Sequence, residues 1–131
     1  MTVTNKKILF IDDEEEVRSI FKLFLTNMDF EFIDAPNGEI GVEMALKHIP
    51  DIIIMDYKMP VMDGIQATKK IRNYEKLKNI PIIIYTGYID DLDFQVAKLL
   101  NKVEILKKPL DVTTWAKIIN QYLYPLPDHC I

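Results

Sequence analysis

Cysteine and histidine are scarce in this chain, and their scarcity removes several classes of protein at once. One thiol, Cys130, cannot close an internal disulfide, which excludes a secreted disulfide scaffold. Two histidines, His48 and His129, with that single cysteine are too few for a Cys/His zinc site. His129 and Cys130 are neighbours near the end of the sequence, where a catalytic pair would be poorly held, and they read as tail residues. Glycine is also sparse: Gly38, Gly41, Gly64 and Gly87 form no phosphate-cradling motif, so no nucleotide site is expected. There is no basic excess either. Sixteen basic residues against 20 acidic ones give a net charge of −4, which argues against a nucleic-acid or anionic-membrane surface. The apolar run Ile8–Ile11, between Lys6-Lys7 and the acids that start at Asp12, is too short for a signal peptide or a membrane span. A cytoplasmic protein is expected.

What is present is an ordinary globular composition. The 131 residues are 49% hydrophobic and 27% charged, enough for one domain that buries about two thirds of its unfolded surface. Short continuous apolar runs at Ile8–Ile11, Ile52–Met55 and Ile82–Tyr85 suit strands buried on both faces of a parallel sheet. Weaker runs at Phe30–Ile33 and Val103–Leu106 predict two further strands. Between them the period changes to that of a helix. Val17, Ile20, Phe21, Phe24, Leu25 and Met28 form one apolar stripe, Val42, Ala45, Leu46 and Ile49 a second, and Trp115, Ile118, Ile119, Tyr122 and Leu123 a third. Less regular helices fit 64–74 and 90–101. Asn37-Gly38, Pro50-Asp51, Pro60, Asn79 to Pro81 and Pro109 fall between these segments; Asp111 is placed to cap the last helix, and Pro125 and Pro127 stop it. Strand and helix thus alternate five times, which predicts a three-layer α/β fold with a parallel sheet and right-handed crossovers. No repeat, low-complexity stretch or linker interrupts it.

In such a sheet, ligands bind beyond the carboxyl ends of the strands. Those ends carry Asp12 and Asp13, then Asp56, then Thr86-Gly87, then Lys107-Lys108-Pro109. Clustered carboxylates repel one another and call for a cation; oxygen ligands without Cys or His favour Mg²⁺. Three carboxylates are balanced by Mg²⁺ and one lysine, so a phosphoryl group is the natural incoming anion. Asp56, alone at the end of the central strand, is the candidate nucleophile. The blander reading of Asp12 and Asp13 is that acids favour a helix start, and Glu14 to Glu16 read as a solvated first turn.

The Asp12-Asp13 pair, Asp56 within Met55-Asp-Tyr-Lys-Met-Pro-Val-Met-Asp-Gly64, Thr86-Gly87 and Lys108-Pro109 together resemble a response-regulator receiver domain. The match runs in order over a core of about 6–123, within a single domain spanning 1–131 with a tail at 124–131. The resemblance implies a flavodoxin-like (βα)₅ fold with strand order 2-1-3-4-5. It implies that Asp56 accepts the phosphoryl group, and that Asp12 and Asp13 position Mg²⁺, one directly and one through water. It further implies that the Lys58 backbone carbonyl completes the metal shell, Thr86 is the switch hydroxyl, and Lys108 pairs with the phosphoryl oxygen. Strand alternation from Ile105 and the adjoining Pro109 favour Lys108 over Lys107, and the resemblance implies a cis Lys108–Pro109 bond. Asp63-Gly64 reads as a turn and helix start. The position three residues before the lysine, often aromatic in receivers, is Ile105 here, so the resemblance does not extend to the usual inward-turning ring. Lys58 and Tyr88 flank the approach of water in receivers; neither is a carboxylate, so slow hydrolysis of the phosphorylated form is expected.

The implied partners are a sensor histidine kinase or a histidine phosphotransfer protein as donor. A target protein would meet the face made by the fourth helix, fifth strand and fifth helix. Neither nucleic acid nor membrane is expected as a partner, and no residues remain for an output domain. The expected function is a stand-alone receiver that catalyses only its own phosphorylation and dephosphorylation. Two alternatives stand beside it. A metal-dependent aspartyl-nucleophile phosphatase would place a second acid where Lys58 stands, and a receiver-like interaction module would not be phosphorylated.

Overall fold

Five parallel strands form one sheet in the order β2-β1-β3-β4-β5. They are β1 (Lys7–Ile11), β2 (Glu31–Ala35), β3 (Ile52–Asp56), β4 (Ile82–Thr86) and β5 (Val103–Lys107). Each is followed by a helix: α1 (Glu15–Asn27), α2 (Gly38–His48), α3 (Gly64–Arg72), α4 (Asp91–Lys98) and α5 (Val112–Leu123). A 3₁₀ turn at Glu75–Leu77 sits between α3 and β4. The structure is a computed structural model that describes residues 5–87 and 90–125, without the side chains of Asp91 and Leu92. Tyr88, His129 and Cys130 lie outside the described residues. No helix among the described residues is long and apolar enough to cross a membrane.

Burial explains why the central strands read so clearly. Every residue of β3 and β4 is buried, so neither strand has a polar face and both appear as runs of isoleucine. The edges β2 and β5 are only partly covered. Alternation along the strands splits the apolar residues between two cores. Leu9, Ile11, Ile53, Met55, Ile82 and Ile84 face α2 and α3, with Ala97 of α4 in the same cluster. Ile8, Phe10, Ile52, Ile54, Ile83 and Tyr85 face Leu25 of α1 and Trp115, Ile119 and Leu123 of α5.

The helix starts follow side-chain chemistry. Asn37, Asp63, Asp90 and Asp111 each accept a hydrogen bond from a backbone N–H in the first turn of α2, α3, α4 and α5. At α3 the cap is reciprocal, because the Gln66 side chain accepts from the Asp63 N–H.

Several boundaries differ from the sequence reading. The second strand is Glu31–Ala35 rather than Phe30–Ile33; Phe30 is buried but its N–H bonds back to Leu25, closing the end of α1. The third helix stops at Arg72 and the fourth at Lys98, each short of its periodic stretch. Ile20, on the predicted stripe of α1, is 65% exposed, because Val17, Phe21, Phe24 and Met28 take the sheet-facing positions around Leu25. Ile49 caps α2 in the left-handed region, with φ 45°, and is exposed rather than packed.

Candidate functional site

The carboxyl ends of β1, β3, β4 and β5 meet at one edge of the sheet, and the sequence-predicted residues meet there with them. Asp12 follows β1 and is fully buried; Asp56 ends β3 and is 6% exposed; Asp13 is exposed. Ligand oxygens of Asp12, Asp13 and Asp56 lie within 4.8 Å of one another. Lys108 closes the cluster: its Nζ donates to Asp56 Oδ1 at 3.2 Å. Lys107 is the last residue of β5, beside Thr86 in the register; the side chain that meets Asp56 is that of Lys108. The Lys108–Pro109 bond is cis, as the resemblance implied. Thr86 ends β4, is buried, and its carbonyl accepts from the Lys108 N–H at 2.8 Å.

The electrostatics follow from burial in company. Desolvation raises the Asp56 carboxyl above its ordinary value; the Lys108 ammonium opposes that shift, and the Asp12 charge adds to it. Among the described residues, the Asp12 carboxylate accepts from the Glu14 N–H at 2.8 Å to Oδ1 and from the Tyr85 hydroxyl to Oδ2. Burial first, then the bond to Asp12, pushes the Tyr85 phenol well above its usual range, so it stays a donor. Arg18 fixes the turn from outside, donating to the Asp12 carbonyl at 2.8 Å and to Asp34 at 3.1 Å. An all-oxygen cluster with a net negative charge fits a hard divalent cation, and Mg²⁺ is the ion such donors suit.

The loop after β3 is fixed by close backbone packing. The Gly64 N–H donates to the Tyr57 carbonyl at 2.7 Å, and a Cβ at Gly64 would stand 2.7 Å from the Asp56 carbonyl oxygen. Only glycine fits there, which explains the Asp63-Gly64 helix start. Lys58, two residues past Asp56, has an exposed side chain and borders an open pocket of about 400 Å³ with Tyr57, Met59, Pro60 and Asp63. Ile105 pairs with Ile84 in the register and packs against the α2–α3 core.

The profile of the response regulator receiver domain matches residues 8–120. The chain belongs to that family. This receiver is 31% identical over 120 residues to sporulation initiation phosphotransferase F of Bacillus subtilis, spanning 91% of this chain and 94% of that protein. It is 26% identical to the polar-differentiation response regulator DivK of Brucella anthropi, over 90% of this chain and 96% of that one. Among solved structures, chemotaxis protein CheY4 of Vibrio cholerae superposes with a TM-score of 0.84 at 28% identity, covering 92% of the receiver and all of CheY4. The expected (βα)₅ architecture and its strand order are therefore those of the receiver fold.

Two residues of the receiver site escaped the sequence reading. Tyr85 counted only as the end of a strand, and Tyr57 only as a residue of the loop motif. Their signal was the phenol itself: a tyrosine at the end of a fully buried strand must find a partner for its hydroxyl. Tyr85 finds Asp12, and Tyr57 donates to Asp93 of α4.

Proposed function

We propose that this receiver is a stand-alone regulator that takes a phosphoryl group from a phosphohistidine donor onto Asp56, with Mg²⁺, and signals through a partner protein or a phosphorelay. The observation that carries this reading is the 3.2 Å contact of Lys108 Nζ with Asp56 Oδ1 at the rim of the Asp12–Asp13–Asp56 cluster. Relatives matched over 94% and 96% of their own length support a regulator of one domain. The reading puts the chain in the cytoplasm, where ATP feeds a histidine kinase.

In the transfer, a lone pair of an Asp56 carboxylate oxygen forms a bond to phosphorus while the donor's phosphorus–nitrogen bond breaks. The bonding pair leaves with the imidazole nitrogen, which takes a proton from solvent, and Asp56 becomes an acyl phosphate. Burial makes Asp56 more basic than a solvated aspartate, which strengthens it as a nucleophile. Lys108 passes from the carboxylate to a phosphoryl oxygen as the charge moves outward. Thr86, at the adjoining strand end, supplies a neutral hydroxyl. Asp12, Asp13, Asp56 and the Lys58 carbonyl would hold Mg²⁺, which supplies positive charge to the phosphoryl oxygens when bound.

Thr86 lies on β4 and Lys108 follows β5, so rearrangement around the phosphoryl group biases the face made by α4, β5 and α5. Lys58 flanks the approach of water in this reading and brings no carboxylate to activate it. The test is incubation with a small phosphodonor and Mg²⁺, followed by intact-mass analysis. Wild type should gain one phosphoryl group, and Asp56→Asn, or wild type in EDTA, should gain none. Labelling that survives either change overturns the assignment.

A further inference from the structure

Tyr85 makes contacts that an ordinary core residue would not. It is 3% exposed on β4, yet its hydroxyl donates to Asp12 Oδ2 and the face of its ring lies 4.6 Å from Lys108 Nζ. One side chain thus touches both an acid of the cluster and the ammonium that balances it. The ring is itself held. Phe10 stacks on it with centroids 5.7 Å apart, and Trp115 of α5 meets it edge-on at 5.7 Å and 90°. A phenol anchored in that stack cannot swing away from Asp12 without repacking α5.

We infer that Tyr85 is a positioning residue for the cation: its hydroxyl fixes the Asp12 carboxylate in its ligating orientation, and its ring holds Lys108 beside Asp56. The inference rests on the reading of the acidic cluster as a Mg²⁺ site. Asp12 is fully buried and negatively charged, so its orientation is set by its donors. One donor is the Glu14 N–H, part of the local turn. The other comes from β4, two strands away in the sheet, where the Tyr85 hydroxyl supplies it. Hydrogen bonds to a ligating carboxylate fix its orientation before the ion arrives, and their removal costs about tenfold or more in metal affinity.

The same stack makes Trp115, the sole tryptophan, a reporter of the site. A cation that draws on Asp12 shifts the partner of the Tyr85 hydroxyl, and the indole edge lies against that ring. Tyr85→Phe keeps the ring, its contact with Lys108 and its contact with Trp115, and removes only the hydroxyl.

The experiment is a calorimetric Mg²⁺ titration of the unphosphorylated full chain, with Trp115 emission followed in parallel. Wild type, Tyr85→Phe and Phe21→Leu are compared. Phe21 touches the same rings, stacking on Phe10 at 4.3 Å and meeting Trp115 at 5.5 Å, but its side chain makes no hydrogen bond to Asp12. The expected result is about tenfold weaker Mg²⁺ binding in Tyr85→Phe, with loss of the emission change. Phe21→Leu should melt earlier and bind Mg²⁺ as wild type does. Equal affinity in wild type and Tyr85→Phe overturns the positioning role while leaving the Mg²⁺ reading intact. An affinity that falls equally in Phe21→Leu reduces Tyr85 to packing and also overturns it. Absence of Mg²⁺ binding by wild type defeats the metal reading itself, and the inference with it.

Discussion

The two faces of the sheet are packed with different chemistry. Between α1, α5 and the sheet, Phe10, Phe21, Tyr85 and Trp115 form one connected stack of rings, with Phe24 and Phe32 at its edge. Between α2, α3 and the sheet lie isoleucine, leucine, valine, alanine and methionine, with Tyr57 the one ring in the buried cluster among the described residues. Aliphatic side chains fill space and pass on only changes of volume. A tyrosine can be core at one end and hydrogen-bond donor at the other. The aromatic face therefore reaches the acids directly through Tyr85. The aliphatic face meets the site's strands through Ile105 and touches α4 through the Tyr57 hydroxyl.

The largest effect that would break this contrast is loss of packing. Trp115→Ala should cost about 3–5 kcal/mol, because it removes a buried ring and two edge-on contacts. Ile84→Val on the other face should cost about 1 kcal/mol. Urea unfolding measures both; similar losses would mean that the aromatic face carries no special weight.

A smaller change sharpens the comparison of the two tyrosines. Tyr57→Phe removes a hydrogen bond to the Asp93 carboxylate and should cost about 1.5 kcal/mol. Because Tyr57 donates to α4 rather than to an acid of the cluster, Mg²⁺ affinity should stay at the wild-type value. A loss of affinity as large as that expected for Tyr85→Phe would erase the distinction between the faces.

The smallest effect concerns the acid between them. Asp56 has a raised pKa in the folded chain because burial outweighs the help of Lys108. Within the window between the ordinary value of 3.8 and the raised one, the folded state binds more protons than the unfolded state. Stability is therefore lost as pH rises through that window and regained as pH falls. Asp56→Asn should accordingly melt higher than wild type at neutral pH in the absence of metal. The gain should shrink on acidification below the carboxylate range. A melting difference that is constant with pH would show that ionised Asp56 carries no burial cost.

Much of this was readable from the chain itself, for physical reasons that differ by element. β3 and β4 are buried on both sides, and a bare run of isoleucine suits almost no position but a strand covered on both faces. β2 was displaced because an edge strand tolerates Glu31 and Asp34 at exposed positions, which breaks the apolar run. Lys108, which alternation from Ile105 and the adjoining Pro109 favoured over Lys107, is the lysine in contact with Asp56. Bringing Asp12, Asp13, Asp56 and Lys108 together required only the rule that parallel strands deliver their last residues to one edge. Tyr85 and Tyr57 were illegible for the complementary reason. Which acid a phenol meets depends on register and on the reach of a ring across neighbouring strands, and neither leaves a local pattern.

Gly64 and Gly87 lie in the segments after β3 and β4, and they differ as a weld differs from a gap. A methyl group at Gly64 would strike the Asp56 carbonyl oxygen at 2.7 Å, while one at Gly87 would meet nothing within 4 Å among the described residues. The acid and the first turn of α3 consequently form one mechanical block, with no slack between them. A group that strains the Asp56 backbone would therefore pull on the start of α3 directly, with Gly64 as the rigid coupling.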